Sequence, residues 1–258
     1  HYGQMTNIYG EPSDIDGNGK IIILLIDMNG NTAGNIDSSD LVYGRRNNAE
    51  IIYLDIELFS RDFHYNVITP LHEFQHLINY NVNFIQKGYS IRWLNETLSE
   101  SVQFLILDKQ YIERRKYYCF YTWHIERYGY SIYDLYINYE SAEEFMWYLF
   151  KKNNKNPEVF KRISHSTERE GYKRILSAVK GMVIGDTWEE VLHNFASYIL
   201  ENAISYDDIN YYLTAPNTTV ALYPGAFIFY EENGETKIAL NPDTYVGNSP
   251  KPIYFTTP

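Results

Sequence analysis

Two histidines and a glutamate stand at a spacing that could bind a metal ion and activate water. The segment His72–His76 reads H-E-x-x-H, with Glu73 directly after the first histidine. Residues four apart lie one above the other on a helix, so both imidazoles could reach one ion. Neutral imidazole is a good zinc ligand, and Glu73 could reach a metal-bound water without binding the metal itself. The pattern predicts metal-assisted hydrolysis of peptide bonds; the alternative is a surface helix that contains two histidines by chance.

A third candidate ligand, Glu96, follows twenty residues after His76. If Glu96 lies on a second helix, its carboxylate completes a set of two histidines and one glutamate. Such a set leaves the fourth position of a tetrahedral zinc open, as in catalytic zinc sites. Glu100 is one helical turn further on the same face, where it could accept the free ring N–H of a ligating histidine. The alternative for Glu100 is a solvated surface carboxylate.

Helices that would position these residues are predicted from apolar periodicity. Apolar side chains recur at three- and four-residue spacing over Leu71–Ile78, which predicts a helix around the two histidines. Thr69-Pro70 could start it, because proline fits the first helical turn, although a start near Phe63 with a kink at the proline also fits. The same spacing predicts a second helix over Trp93–Leu107, which would carry Glu96.

Strand patterns occur towards both ends of the chain. The apolar run Ile21–Ile26 lies between Asn-Gly dipeptides and predicts a buried strand, and Ile51–Asp55 predicts a second one. The polar, glycine-containing stretch Asn31–Asn48 between them predicts a loop. From about Asn217 the chain returns to strand character, with an Asn-Gly hairpin signal at Asn233–Gly234.

The predicted fold class is α+β, because strand patterns precede and follow a helical middle. Helical patterns around Ala142–Lys151 and Trp188–Leu200 place most of the later helices in the second half of the chain. We expect a catalytic domain over residues 1–206, sheet-rich over about 1–80 and helical over about 81–206, and a short C-terminal β segment over 207–258.

Charge and hydropathy narrow the classes of partner. The 258 residues carry a formal net charge of −11, from 22 Lys and Arg against 33 Asp and Glu. Without a clustered basic face, a nucleic-acid partner is disfavoured, because phosphate binding relies on lysine and arginine. The longest clean aliphatic run, Ile21–Ile26, is far shorter than the roughly 20 residues that span a bilayer, so we expect no membrane insertion. The lone Cys119 excludes an internal disulfide framework, and nothing in the sequence predicts the oligomeric state.

A second group of oxygen-bearing side chains lies in the loop Asp14–Lys20. Asp14, Asp16 and Asn18 occupy the first, third and fifth positions of an EF-hand-type calcium loop, but Leu25 stands where that loop needs a glutamate. A different calcium site is one interpretation, and an Asn-Gly turn before the first strand is the simpler one. The acids that could close a calcium site are Asp27, Asp37 and Asp40.

The metal-binding pattern resembles that of the gluzincin metallopeptidases, and the surrounding strings resemble the hyicolysin family of bacterial extracellular peptidases. The matching strings, which lie between about residues 10 and 150, are Asp14–Lys20, Asn48–Asp55, Leu71–Ile78 and Trp93–Glu96. The resemblance implies a zinc endopeptidase with an N-terminal mixed β-sheet, an active-site helix and a helical C-terminal half. It also implies a bacterial protein that is secreted or held at the cell surface. This chain departs from the family at Glu100, where gluzincins commonly carry aspartate.

Two further roles are implied by the same resemblance. Gluzincins hold the oxyanion of the tetrahedral intermediate with a Tyr or His from the helical half, and Tyr139 is the preferred candidate here. The other candidates are His165 and His193. Strand residues around Glu50–Asp55 would line the cleft and pair with the substrate backbone.

These patterns together predict a zinc-dependent endopeptidase acting on a protein or peptide substrate. One Zn²⁺ per chain would be held by His72, His76 and Glu96, and Glu73 would act as the general base. The alternative from another class is a surface adhesin or binding module in which zinc is purely structural, although such a site has no use for Glu73. A zinc hydrolase with a substrate other than protein is a third interpretation.

Overall fold

The computed structural model describes residues 1–29, 32–62, 64–107, 143–204, 213–244 and 252–258. These residues form a mixed α+β fold of helices and small sheets, which confirms the predicted class. The chain divides into two compact units. Described residues up to 107, together with 160–169, belong to the first unit, and the others belong to the second. No helix in the described part of the chain is long and apolar enough to cross a membrane.

The first unit contains the elements that carry the predicted metal ligands. Its helices are α1 (Tyr2–Tyr9), α2 (Ile56–Phe59), α3 (Thr69–Asn79), α4 (Arg92–Glu100) and α5 (Val102–Ile106), and its strands are β1 (Ile22–Ile26), β2 (Gly34–Asn35) and β3 (Ile51–Asp55). Two π-helical segments, His64–Ile68 and Tyr80–Ile85, continue α3 at its two ends. Such segments occur frequently near functional sites.

The core of the first unit lies around α3. Helices α1 and α5 pack on α3, which in turn packs on strand β3. The fully buried side chains include Met5, Tyr9, Leu54, Leu77 and Val102. Burying an aliphatic side chain of this size contributes about 1.5–3 kcal/mol. The core therefore fixes α3, which carries the histidines, against both the sheet and its helical neighbours.

The sheet of the first unit has the strand order β1-β3-β2. β1 runs parallel to β3, with Ile22 opposite Ile51, and the short β2 runs antiparallel on the other side of β3. The backbone of β3 is therefore paired on both edges at Tyr53 and Leu54. A substrate strand therefore cannot pair with β3 at these two residues, and the expectation that residues around Glu50–Asp55 line a cleft stays a prediction. The sheet also places a short strand within the predicted loop Asn31–Asn48.

β1 forms where it was predicted, but it is not buried. Ile22, Ile23, Leu24 and Leu25 keep 40–55% of their surface exposed. The physical reason is position: β1 is an edge strand, whereas α3 packs on β2 and β3. An apolar run indicates a strand without showing whether the strand lies at the centre of a sheet or at its edge.

Both predicted helices around the candidate metal ligands are present, with altered ends. The α-helix α3 begins at Thr69 with Pro70 in its first turn, yet helical backbone already starts in the π-helical segment before it. The second predicted helix, Trp93–Leu107, is divided into α4 and α5 at Ser101. The Ser101 hydroxyl donates to the Leu98 carbonyl at 2.6 Å and meets the Tyr9 hydroxyl at 2.8 Å. Bonding of this kind competes with a continuous helix.

The second unit combines helices with small sheets. Residues 143–152 form α6. The elements that follow are α7 (Glu158–His165, which belongs to the first unit from Phe160 onward), α8 (Gly171–Val179), α9 (Trp188–Ile204), β4 (Leu213–Thr214), β5 (Thr219–Leu222), β6 (Phe227–Glu232), β7 (Glu235–Leu240) and β8 (Ile253–Thr256). β6 and β7 form the predicted hairpin, since Asn233 and Gly234 both take positive φ at the turn. In the core of the second unit, Phe195 packs edge to face against both Phe145 and Phe227. The division into domains at residue 206 stays a prediction.

Candidate metal centre

Helices α3 and α4 pack together and bring three donor atoms into a small triangle. The Nε2 atoms of His72 and His76 lie 3.0 Å apart. Oε2 of Glu96 lies 3.6 Å from the first nitrogen and 3.4 Å from the second. The four-residue spacing on α3 stacks the histidines on one face, and α4 supplies the carboxylate opposite them. The structure thus brings together His72, His76 and Glu96, the three metal ligands that the sequence predicts.

The triangle has the size that a tetrahedral zinc ion needs. Zinc binds histidine nitrogen and carboxylate oxygen at about 2.0–2.2 Å, so its ligand atoms stand about 3.3–3.6 Å apart at tetrahedral angles. The three measured separations, 3.0, 3.4 and 3.6 Å, fall around this value. The residues therefore fit a divalent ion with nitrogen and oxygen ligands.

The other ring nitrogen of His72 is held by Glu100. His72 Nδ1 lies 3.1 Å from Glu100 Oε1, and the Glu100 side chain is only 15% exposed. A second carboxyl oxygen, Oε2, accepts a hydrogen bond from Gln103 at 3.1 Å. Glu100 is thus fixed against the histidine instead of standing in solvent, and the ring of His72 presents Nε2 to the triangle.

The other ring nitrogen of His76 is held by Ser99, a residue that the sequence analysis missed. His76 Nδ1 lies 3.0 Å from Ser99 Oγ, which in turn donates to Gln75 Oε1 at 2.5 Å. With Nδ1 engaged by Ser99, the ring of His76 presents Nε2 to the triangle. The sequence does contain a signal, since Ser99 follows Glu96 by three residues and so shares its helix face.

Glu73 lies beside the histidines and is nearly excluded from solvent. It is 6% exposed, and its carboxylate lies within 4.8 Å of ring nitrogens of His72 and His76. A Cβ added at Gly34 on β2 would come within 3.0 Å of Glu73 Cγ and 2.8 Å of Thr69 Cγ2. The close approach of β2 to α3 therefore depends on glycine at position 34, a second residue that the sequence analysis did not single out.

Burial and mutual charge control the protonation of the cluster. Burial raises the pKa of Glu73 above its ordinary value, with the two histidines opposing that rise. Burial alone would lower the pKa of His72, but its hydrogen bonds to Glu100 and Glu96 outweigh burial and hold that pKa well above 6.5. For Glu96, burial opposes ionisation, yet the charge of His76 and the hydrogen bonds from both histidines hold its pKa well below the ordinary value. The cluster therefore favours ionised Glu96, the form that binds metal.

The three candidates for the oxyanion donor lie in later parts of the chain. Tyr139 lies outside the described residues. His165 ends α7 at the protein surface, beside Gly10, and burial together with Lys87 and Lys161 lowers its pKa. His193 lies exposed on α9 in the second unit.

The carboxylate that lies near the Asp14–Lys20 loop is not one of the three that the sequence suggests. The acids that the sequence suggested for closing a calcium site are engaged elsewhere: Asp37 binds Ser39 and Arg46, Asp40 binds Asn47 and Tyr53, and Asp27 caps the amide of Asn29. The carboxylate that reaches the loop belongs to Glu50, which lies with Asp14 and Asp16 in a second group of acidic residues.

Comparison with known proteins shows a similarity of limited extent. No family model matches the chain. Over 179 residues the chain is 27% identical to the neutral metalloprotease ShpI of Staphylococcus hyicus, a stretch that covers 60% of this chain and 40% of that protein. The chain therefore spans less than half the length of the protein that it resembles.

Proposed function

We propose that this protein is a zinc-dependent endopeptidase. The observation that carries the proposal is the triangle of His72, His76 and Glu96 donor atoms, 3.0–3.6 Å apart, with the buried carboxylate of Glu73 beside it. The similarity to a neutral metalloprotease supports the same class of activity. Both observations indicate a metal-dependent protease, and the choice of zinc rests on the mixture of nitrogen and oxygen ligands.

Each residue of the cluster has a distinct task in this proposal. His72, His76 and Glu96 hold one zinc ion per chain, which supplies a Lewis acid that polarises a carbonyl and makes water more acidic. Glu100 and Ser99 hold the outer ring nitrogens, so that both Nε2 atoms face the ion. These contacts orient the ligands before the ion arrives.

Glu73 accepts the proton of the attacking water at its carboxylate and passes it to the leaving amine. Its burial suits this task, because burial raises the pKa of Glu73 towards the neutral range and makes proton uptake more favourable. Peptide hydrolysis needs both transfers, since the amide nitrogen leaves only after it is protonated. The carboxylate does not complete the donor triangle and so stays free to move protons.

The finer features implied by the family resemblance belong to the same proposal. They are a gluzincin-like arrangement, Tyr139 as the oxyanion donor, a protein or peptide substrate, and a location outside the cell or at its surface. The catalytic domain over residues 1–206 and the β segment over 207–258 are also part of it. The similarity to a metalloprotease supports them only at the level of the general activity.

Replacement of Glu73 by Gln tests the proposal against the binding-module alternative. Glutamine keeps the shape of the side chain but cannot accept a proton, so zinc content and melting temperature should be retained. We expect kcat on a denatured protein substrate to fall by about 10²–10⁴-fold. Glu57→Gln is the matched control, because Glu57 is an exposed glutamate on α2 and should leave kcat unchanged.

Two outcomes would overturn the proposal. Wild-type turnover in the Glu73→Gln variant would remove Glu73 from the mechanism. If the wild-type protein binds zinc but cleaves nothing in a broad peptide library, the adhesin or binding-module interpretation should replace this one.

A further inference from the structure

A second cluster of ligand-type side chains lies in the first unit. Asp14, Asp16 and Glu50 each offer a carboxylate oxygen, and these oxygens lie within 4.8 Å of one another. Asp14 and Asp16 are exposed on the loop before β1, whereas Glu50 is 1% exposed. The proposed peptidase chemistry uses none of the three.

The parallel pairing of β1 and β3 delivers Glu50 to the loop. Ile22 is opposite Ile51, so the residue before β3 comes to lie beside the residue before β1. The Ile22 amide donates to the Glu50 carbonyl at 2.8 Å and extends the pairing by one step. Because the loop Asp14–Lys20 leads directly into β1, sheet formation brings a buried glutamate against it.

The Glu50 carboxyl is anchored through one oxygen, and the other lacks a partner. Oε1 accepts hydrogen bonds from Ser13 Oγ at 2.7 Å and from the Ile15 amide at 3.0 Å. Oε2 is buried and has no hydrogen-bond partner among the described residues. A buried carboxylate oxygen without a partner is costly, because its lost hydration is not replaced. A cation at this point would replace it.

The charges around the cluster also favour a cation. Three carboxylates at this separation repel each other. Within the described residues, none of them forms an ion pair with a lysine or arginine. Asp14 and Asp16 instead accept backbone hydrogen bonds from Gly19 and Asn18, at 3.0 and 3.1 Å. Those bonds hold the loop in shape but do not neutralise its charge.

We propose that Asp14, Asp16 and Glu50 bind a calcium ion. The donors are all carboxylate oxygens, which suit a hard cation better than zinc. The loop follows the first half of an EF-hand: Asn18 and the Lys20 carbonyl stand at its fifth and seventh positions, and Gly19 takes a positive φ of 64° at the sixth. Glu50 replaces the glutamate that an EF-hand supplies at position twelve. The ion stabilises the first unit by tying the loop to the start of β3.

Thermal melting of the full chain with and without calcium tests this site. With zinc present throughout, calcium at about 5 mM should raise the Tm of the wild-type protein by roughly 5 °C, given a Kd of about 10⁻⁴ M. Titration calorimetry should give about one calcium per chain. Glu50→Gln keeps a hydrogen-bond acceptor for Ser13 and the Ile15 amide, and it should lose most of the Tm rise.

Two further variants keep the test decisive if Glu50→Gln disturbs folding. Asp16→Asn lies on the exposed loop and should also lose the rise. Asp27→Asn is the matched control, because Asp27 is an exposed aspartate that holds a backbone amide outside the cluster, and its Tm rise should equal that of wild type.

Three results would overturn the proposal: no Tm rise or heat of binding in the wild type, an undiminished rise in both cluster variants, or an equal response to Mg²⁺. Since zinc is kept bound and activity is not the readout, these outcomes are independent of whether the protein is a peptidase.

Discussion

The histidine cluster (His72, His76 and Glu96) lies on two helices that pack together. The acidic cluster (Asp14, Asp16 and Glu50) instead joins a loop to the residue before a strand. The first cluster takes its donors from α3 and α4, which are close in sequence. The second needs Glu50, which approaches Asp14 and Asp16 only after β1 has paired with β3. Helix periodicity alone places the two histidines of the first cluster on one face of α3, whereas the second cluster depends on which strands become neighbours.

The two clusters also differ in how firmly their donors are held. His72 and His76 are each fixed at the outer ring nitrogen, by Glu100 and Ser99 respectively. In the acidic cluster the buried Glu50 is anchored, but both aspartates lie exposed on a loop. Preformed donors bind with less loss of side-chain freedom. We therefore expect tight binding of metal at the first cluster and weaker, stabilising binding at the second.

The largest expected effect comes from removing a donor of the histidine cluster. His76→Ala takes one corner from the triangle, so bound zinc should fall from about one per chain to near zero, and activity should fall with it. Asp16→Asn, in the other cluster, should keep both zinc and activity. Metal analysis after dialysis checks this difference. Full zinc content in His76→Ala would place the metal elsewhere and break the comparison between the clusters.

A smaller effect is expected from the residues that orient the histidines. Ser99→Ala and Glu100→Gln leave every donor atom in place, so each should weaken zinc binding by about 10–100-fold without abolishing it. The matched control is Ser101→Ala, because the Ser101 hydroxyl bonds Tyr9 and the Leu98 carbonyl and forms no hydrogen bond with a histidine of the described residues. It should lower the melting temperature while zinc affinity stays unchanged. Competition with a chelator measures the affinities, and equal affinity in Ser99→Ala and wild type would mean that Ser99 does not orient His76.

The histidine cluster could be predicted from sequence because its information is local. Four-residue spacing places His72 and His76 on one face of α3, and the Glu96 carboxylate follows on the next predicted helix. The hairpin turn at Asn233–Gly234 was predictable for the same reason, since those two residues favour positive φ. Ser99 could have been found from its position one turn beyond Glu96.

Structural features that depend on the order of strands in the sheet could not be predicted from the sequence. The apolar run of β1 predicts a strand, but nothing in it shows that Ile23 would lie at a sheet edge and remain 55% exposed. The central position of β3 and the approach of Glu50 to the loop both follow from register between segments that are distant in the chain. The sequence suggests Asp27, Asp37 and Asp40 as acids that could close a site at the loop, whereas the sheet brings Glu50, the residue before β3, to Asp14 and Asp16.

The smallest expected effect is that of His165 on the pH dependence of stability. His165 belongs to neither cluster, and its pKa is shifted in the opposite direction to that of His72. The carboxylates of Glu100 and Glu96 raise the pKa of His72 despite its burial, whereas partial burial and the charges of Lys87 and Lys161 lower the pKa of His165. The Lys87 ammonium is held nearby, since it donates to the carbonyls of Ser164 and Ser166 at 3.1 and 3.0 Å. In the unfolded chain His165 regains its ordinary pKa, near 6.5, and binds protons more readily than in the folded protein.

His165 should therefore make the folded state less stable as the pH falls below about 6.5 and through its lowered pKa. The wild-type Tm should fall more than that of His165→Gln between about pH 7.5 and pH 5.5, and the difference should stay below about 2 °C because His165 is exposed. Both proteins carry the same His72, His76 and Glu96 cluster, so the response of that cluster to pH cancels in this comparison. If His165→Gln loses more stability than wild type, His165 is protonated more readily when folded, and the lysines do not determine its pKa.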